Sequence, residues 1–194
     1  MRGAEKVDAL VLGTGLAGLN FALEFAERNP LARVLVVTKS ADLRESATDW
    51  AQGGIAAAMQ GQDDIESHFE DTLRTGGGIA HPEAVRMVVS EGPDRVHDLI
   101  QRGVSFTRKD TNQDEFDFTR EGGHSRRRIL HSADQTGRAI IEALLAQAQR
   151  AILREEMARE GYDELVQRFA QALLAQGQPT LQQAFGALWQ QLGP

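Results

Sequence analysis

The chain has 194 residues, of which 41% are hydrophobic and 25% charged, and its formal net charge is −7. These values are typical of a globular domain with a substantial core, and they argue against wholesale disorder and nonspecific nucleic-acid binding. The sequence has no cysteine, which excludes disulfides, thiol nucleophiles and zinc–thiolate sites, and no apolar run of about 18 residues, so we expect a cytoplasmic protein without membrane contact.

Two strands and a helix are predicted in the first forty residues. Val7–Leu12 and Arg33–Thr38 are short apolar runs, and apolar residues recur at helical spacing over Leu16–Arg28. Between the first strand and the helix, Gly13–Gly18 has the sequence Gly-Thr-Gly-Leu-Ala-Gly. This order predicts a βαβ unit of the dinucleotide-binding kind.

The next hundred residues predict an irregular stretch followed by mixed helices and strands. The predicted elements are an irregular segment over 40–61, a helix from Asp63 or Asp64 to about Thr75, a helix from Pro82 to Gly103 interrupted or bent near Gly92-Pro93, strands over Val104–Thr107 and Glu115–Thr119, and a helix behind a capping-box pattern at Ser132 and Gln135. The fold class predicted is therefore α/β, with an incomplete Rossmann-like βαβ domain over residues 1–150.

The composition changes after residue 150. Residues 151–194 are rich in Ala, Gln, Leu and Glu, and two apolar stripes at helical spacing flank Gln176–Pro179. An amphipathic helical hairpin is predicted for this tail. It either covers neighbouring surface of the same chain or packs on a helical protein partner.

The glycine turn predicts a nucleotide site. In such a turn Gly13 permits the sharp bend, Gly15 lets a pyrophosphate approach the backbone, and Gly18 allows close packing of helix on strand. The alternative to a nucleotide site is a glycine-rich loop of another kind of α/β protein. Thr38-Lys39 stands where an acidic ribose ligand is usual. Lys39 either reaches a phosphate or ribose or is a solvated surface lysine.

A second polar stretch is typical of a site for a small anionic substrate. It combines Glu121, His124, His131 and the arginines of Arg126–Arg128 around a Gly-Gly pair. The histidines lack suitably spaced partners, so no metal site is predicted. The arginine triplet indicates a solvated or anion-facing turn. From the residues alone, Glu121 is most simply paired with a neighbouring arginine: Arg120, Arg126 or Arg127.

Several motifs, in order, resemble a known family over roughly residues 5–150. Gly13–Gly18, Thr38-Lys39 and Ser46–Ala56 resemble the succinate dehydrogenase/fumarate reductase flavoproteins. Within that family, the L-aspartate oxidase branch is matched by Thr119–Ser125, Arg127–His131, Asp64–Thr72 and Ala133–Arg138.

The resemblance implies FAD as the cofactor. The residues implied to bind it are Gly13, Thr14, Gly15, Leu16, Ala17, Gly18, Lys39, Ser46, Ala47, Thr48, Trp50, Ala51, Gln52, Gly53 and Gly54. Ala47 stands where the dehydrogenases and fumarate reductases have the histidine that carries covalent flavin, so noncovalent FAD is implied.

The resemblance also implies an activity. L-aspartate would be oxidised to iminoaspartate, with oxygen or fumarate as acceptor, in de novo NAD biosynthesis, and Glu121 would orient the substrate. The family's further substrate-binding motifs are absent from this sequence, so the chain is expected to be too short to be active alone. The alternatives are a fumarate reductase or succinate dehydrogenase flavoprotein fragment, and a non-catalytic FAD-binding or interaction module.

Overall fold

The computed structural model describes residues 6–61 and 63–160. The elements there are β1 (Ala9–Leu12), α1 (Leu16–Arg28), β2 (Val34–Val37), β3 (Ile55–Ala56), α2 (Ile65–Thr75), α3 (Pro82–Gln101), β4 (Arg108–Lys109), β5 (Asn112–Phe116), β6 (Phe118–Thr119), β7 (Ile129–Leu130) and α4 (Thr136–Glu160). This mixture of helices and strands confirms the α/β class.

The first three elements form the predicted βαβ unit. Strands β1 and β2 pair in parallel, with Ala9 opposite Val34 and Leu12 opposite Val37. Helix α1 has the predicted bounds and buries Leu19, together with Ala22 and Leu23. The parallel pairing brings the ends of both strands to the glycine turn, which lies between β1 and α1.

Helices α2 and α3 contact each other. Asp64 caps α2, because its Oδ1 accepts a hydrogen bond from the Ser67 amide at 2.7 Å. Arg86 of α3 pairs with Glu66 of α2 and stacks over the Phe69 ring, 3.6 Å from its centroid. Helix α3 runs through Pro93 without interruption, although an interior proline lacks an amide donor and crowds the carbonyl four residues before it.

A small antiparallel sheet joins distant parts of the chain. Strand β7 lies between β3 and β6, and Leu130 is opposite both Ile55 and Phe118. Leu130 is fully buried. The sheet therefore places the 46–56 segment beside the polar stretch that precedes β7.

The strand predicted over Val104–Thr107 is wrong. Val104 and Phe106 are buried, but the segment is a single extended chain whose Thr107 amide donates to the His131 carbonyl at 2.8 Å. A ladder begins only at Arg108, where β4 meets β5. Val104 and Phe106 are apolar because they are buried in the core, and their segment pairs with no strand in the described structure.

The capping box at Ser132 is also wrong. Helix α4 begins at Thr136, and its hydroxyl oxygen accepts a hydrogen bond from the Ser132 amide at 2.9 Å. Ala133 adopts φ +46°, a left-handed conformation that a helix cannot contain. With Ser132 as the cap the helix would begin at residue 133, so the turn delays it by three residues.

The chain divides into two units, Met1–Leu145 and Ala146–Pro194. The hairpin predicted for the tail falls on residues 161–194, outside the described residues, and the predicted boundary at residue 150 stays a prediction. None of the helices described is both long and apolar enough to cross a lipid bilayer.

Candidate functional site

The glycine turn has a geometry that side chains would prevent. Gly13 adopts φ +107°, and its amide donates to the Val37 carbonyl at 2.7 Å, which ties the turn to β2. A Cβ at Gly18 would overlap the carbonyl oxygen of Gly13 and press on Val11. These two glycines therefore serve the tight turn and the close packing of α1 on β1.

The first turn of α1 presents unpaired donors. The Leu16 amide donates to Thr48 Oγ1 at 3.1 Å, whereas the amides of Gly15, Ala17 and Gly18 make no hydrogen bond with another described residue. The Thr14 hydroxyl is buried and has no partner within the described part of the chain. Together with the partial positive charge of a helix N-terminus, these donors suit a phosphate group.

Seven of the fifteen predicted cofactor residues line one cavity of about 580 Å³. Its lining comprises Leu12, Gly13, Thr14, Gly15, Val37, Thr38, Lys39, Glu45, Ser46, Ala47 and Thr48. Lys39 lies two residues after β2 and is exposed, so its position in this lining fits both a phosphate or ribose ligand and a solvated surface lysine. The cavity size is in the range of about 300 to 1,000 Å³ that is common for ligand sites.

The rest of the predicted cofactor segment lies outside this cavity. Trp50 is 78% exposed, and Gln52 and Gly53 are exposed as well. A Cβ at Gly54 would overlap the Leu130 carbonyl, so this glycine allows β3 to approach β7. Its role in the described structure is packing.

The 46–54 segment is held from behind by the start of α4. The Gly137 amide donates to the Ala51 carbonyl at 2.9 Å. A Cβ at Gly137 would overlap the Thr48 carbonyl oxygen. This glycine was not among the predicted site residues, yet it positions the threonine that holds the start of α1.

A buried ion-pair network lies under the second polar stretch. Arg128 is fully buried; its Nε and Nη2 donate to the two carboxylate oxygens of Asp63, and its Nη1 donates to Asp71 Oδ2, all at 2.8 Å. Its Nη2 also donates to Ser67 Oγ at 3.1 Å. A guanidinium with this many partners fixes the loop before β7 against α2.

Asp71 is the acceptor at the centre of that network. Its Oδ2 accepts from the Ser125 amide at 2.6 Å and from the Ser125 hydroxyl at 2.7 Å, and its Oδ1 pairs with Arg74. Burial alone would raise the pKa of this carboxyl. The hydrogen bonds from Ser125, then Arg74 and Arg128, outweigh it and hold the pKa well below the ordinary value.

Two histidines face a larger cavity beside the network. The rings of His68 and His124 lie 5.6 Å apart, and both residues line a mainly apolar cavity of about 820 Å³ between α2 and α3. His68 is buried, and its Nδ1 has no partner in the described part of the chain. Burial, with the nearby charge of Arg128, lowers the pKa of His68 below its ordinary value.

Glu121 lies on an exposed turn and lines none of these cavities. Its carboxylate makes no hydrogen bond or ion pair with any described residue, so the pairing with Arg120, Arg126 or Arg127 is not formed. Instead, Arg127 lies 3.8 Å from Asp117.

Sequence reasoning missed the buried network. Asp63, Ser67 and Asp71 recur every four residues, which places them on one side of α2 and of the turn before it. That polar stripe was the available indication. Within residues 6–61 and 63–160, no cluster of three or more histidine and acidic side chains could hold a metal ion.

The comparison with protein families matches this arrangement. A model for the FAD binding domain matches residues 8–183. The chain belongs to this family. The prediction of FAD as the cofactor is thereby confirmed.

Its relatives confirm the predicted resemblance. L-aspartate oxidase from Pseudomonas aeruginosa is 47% identical over 148 residues, which are 74% of this chain and 27% of that protein. Among solved structures, Sdh1 of Mycobacterium smegmatis superposes with a TM-score of 0.69 at 36% identity, covering 80% of this chain and 25% of that one. The E. coli quinol fumarate reductase superposes with a TM-score of 0.69 at 29% identity, covering 74% and 24%.

The chain spans about a quarter of the length of the curated relatives it matches. The family match over residues 8–183 contains the glycine turn and the polar stretch around Glu121, so both candidate sites lie within the region of similarity.

Proposed function

We propose that the chain is the FAD-binding part of an L-aspartate oxidase, which oxidises L-aspartate to iminoaspartate with oxygen or fumarate as acceptor. Curated L-aspartate oxidases are 44% to 48% identical to it, whereas the fumarate reductase and Sdh1 structures are 29% to 36% identical. That difference favours the oxidase over a dehydrogenase or fumarate reductase flavoprotein. A role in NAD biosynthesis follows from the same proposal.

The main observation in support of a cofactor site is that donor groups at the start of α1 have no hydrogen-bond partner among the described residues. The free amides of Gly15 and Ala17, and the buried hydroxyl of Thr14, need an acceptor, and a pyrophosphate supplies one. Lys39 and Ser46 line the same cavity on either side of the turn. These residues would hold the nucleotide half of FAD and orient its flavin half.

Bound FAD supplies a ring that accepts a hydride from the substrate. The chain's own part in the reaction is to position the substrate. The unpaired, exposed carboxylate of Glu121 is available to accept a hydrogen bond from the ammonium group of aspartate. Its freedom from neighbouring arginines supports this role over a structural one.

Ala47 supports a noncovalent cofactor. It lines the cavity beside the glycine turn, and its methyl group cannot form the bond that a histidine would make to flavin. Bound FAD, with its visible absorption, should therefore separate from the chain when the protein is denatured.

A non-catalytic FAD-binding module is the second candidate, because the chain covers only about a quarter of its relatives. We expect the isolated chain to bind FAD weakly and to lack aspartate turnover. A helical partner for the tail and a cytoplasmic location stay predictions from the sequence.

The test is an absorption spectrum of the chain after addition of FAD and desalting, compared for wild type, Gly15→Val and Gly61→Val. A Cβ at Gly15 would lie 3.5 Å from Thr48 Oγ1, an ordinary contact, so the turn has room for a β-carbon, and we expect the two methyl groups of valine to hinder approach to the amides. A Cβ at Gly61 meets no atom within 4 Å. We expect at least about tenfold weaker FAD binding for Gly15→Val only.

Equal FAD binding by all three proteins would contradict the assignment of the glycine turn. Aspartate-dependent peroxide from the isolated wild-type chain, lost in Glu121→Gln, would contradict the expected inactivity and would support the role of Glu121 directly.

A further inference from the structure

A third cavity, of about 390 Å³, lies between the loop that precedes α2 and the turn that precedes β7. Its lining comprises Gln60, Asp63, Arg120, Ser125, Arg126 and Arg127. It shares no lining residue with the cavity at the glycine turn or with the cavity between α2 and α3. Glu121 does not line it either.

The charge of this cavity is unbalanced. Asp63 is the single carboxylate in its lining, and both of its oxygens are taken by the fully buried Arg128. Asp63 therefore compensates a buried charge beneath the cavity. Of the three arginines in the wall, Arg127 pairs with Asp117 at 3.8 Å, whereas Arg120 and Arg126 have no counter-charge among the described residues. Guanidinium groups gathered in one cavity without a counter-charge repel one another, and an anion between them would relieve that repulsion.

The cavity is fixed on one side and adjustable on the other. Arg127 Nε donates to the Phe118 carbonyl at 2.7 Å, and Ser125 is held by Asp71 through its amide and its hydroxyl. By contrast, the side chains of Arg120 and Arg126 are exposed and make no hydrogen bond or ion pair with another described residue. They are free to close on a ligand above a rigid floor.

We propose that this cavity binds a small dianion, either a phosphate or a dicarboxylate, through Arg120 and Arg126. Each planar guanidinium can donate two parallel hydrogen bonds to a pair of anionic oxygens, and Gln60 and Ser125 add polar groups beside them. The site is separate from the FAD site and from the proposed role of Glu121.

The experiment is isothermal titration of the full chain with inorganic phosphate and, in a second series, with succinate, at neutral pH and constant ionic strength. The test variant is Arg120→Gln/Arg126→Gln. The control, Arg28→Gln/Arg44→Gln, removes the same charge from two arginines that line none of the three cavities. Melting curves check that both variants are folded, which we expect because Arg120 and Arg126 are exposed and make no hydrogen bond or ion pair with another described residue.

We expect saturable binding of at least one anion, weakened by about tenfold or more in the test variant and by less than about twofold in the control. The series that binds more tightly identifies the ligand as a phosphate or a dicarboxylate. Absence of saturable binding in both series, or an equal loss in both variants, would overturn the proposal.

Two further variants locate the anion. Binding that survives in the test variant but disappears in Gly15→Val would place it at the glycine turn and overturn the proposal. Loss of binding in Glu121→Gln would assign it to the proposed substrate site, with the same consequence. Binding retained in both supports a separate site, whether or not the chain turns over aspartate.

Discussion

Ser125 donates two hydrogen bonds to one oxygen, Oδ2 of Asp71, from its amide at 2.6 Å and from its hydroxyl at 2.7 Å. The two residues are 54 positions apart in the chain. This contact holds the turn that carries Glu121 against α2. Arg128 Nη1 donates a further hydrogen bond to the same Asp71 oxygen. The position of a proposed substrate-binding residue thus depends on the attachment of its turn to α2.

Replacement of Arg128 by methionine is expected to destabilise the chain strongly. The change leaves Asp63 and Asp71 buried without their main partner, and loss of one member of a buried ion pair costs about 3 to 5 kcal/mol. Guanidinium chloride unfolding would measure the free energy. Arg86→Met breaks an exposed pair with Glu66 and is the control, for which we expect little change. An equal loss of unfolding free energy in the two variants would show that the buried network contributes no more to stability than the exposed pair does.

Asp71 makes stability depend on acid pH. Its pKa in the folded chain is held below the ordinary value of 3.8, so its contribution is fully present above that value and is lost as the pH falls through the lower, folded pKa. We expect Asp71→Asn to be less stable than wild type at neutral pH, with the gap closing in acid. Urea unfolding from neutral pH to about pH 2 would measure both curves. A constant gap would contradict the assignment.

His68 makes the stability of the chain depend on pH closer to neutrality than Asp71 does. Burial lowers its pKa below the ordinary value of 6.5, so the unfolded chain takes up a proton first as the pH falls. The free energy of unfolding should therefore decrease as the pH falls from neutral through 6.5 and level off below the folded pKa. His68→Gln should flatten this part of the curve, while the exposed His97→Gln should not. An unchanged slope in His68→Gln would exclude His68 as its source.

Replacement of Gly137 by alanine should disturb the cofactor segment from behind. Its Cβ would overlap the Thr48 carbonyl oxygen, a backbone atom that can move only with the whole 46–54 segment. We expect a loss of about 1 to 3 kcal/mol in thermal or denaturant unfolding. Gly61→Ala, which meets open space, is the matched control. Wild-type stability in Gly137→Ala would mean that α4 can shift away from Thr48.

Local pattern predicted the parts of the fold that depend on neighbours in the chain. Helix α1 has its predicted bounds. The cap of α2 was also predicted, because the Asp64 carboxylate accepts a hydrogen bond from the Ser67 amide only three residues later in the chain. The two-residue strands β3 and β7 were not predicted. Each is too short to show a period, and they exist because distant segments pair in the small sheet.

The sequence by itself determined the βαβ unit, the glycine turn, the family and the cofactor, because each depends on residue types at short, ordered spacing. Only the tertiary structure decided that Arg128 is buried while Arg126, two residues earlier, is exposed and unpaired within the described chain. Two arginines of one triplet are chemically identical in a sequence. What separates them is whether the fold brings a carboxylate, here Asp63 and Asp71 of another segment, within hydrogen-bond distance to compensate the cost of removing the charge from water.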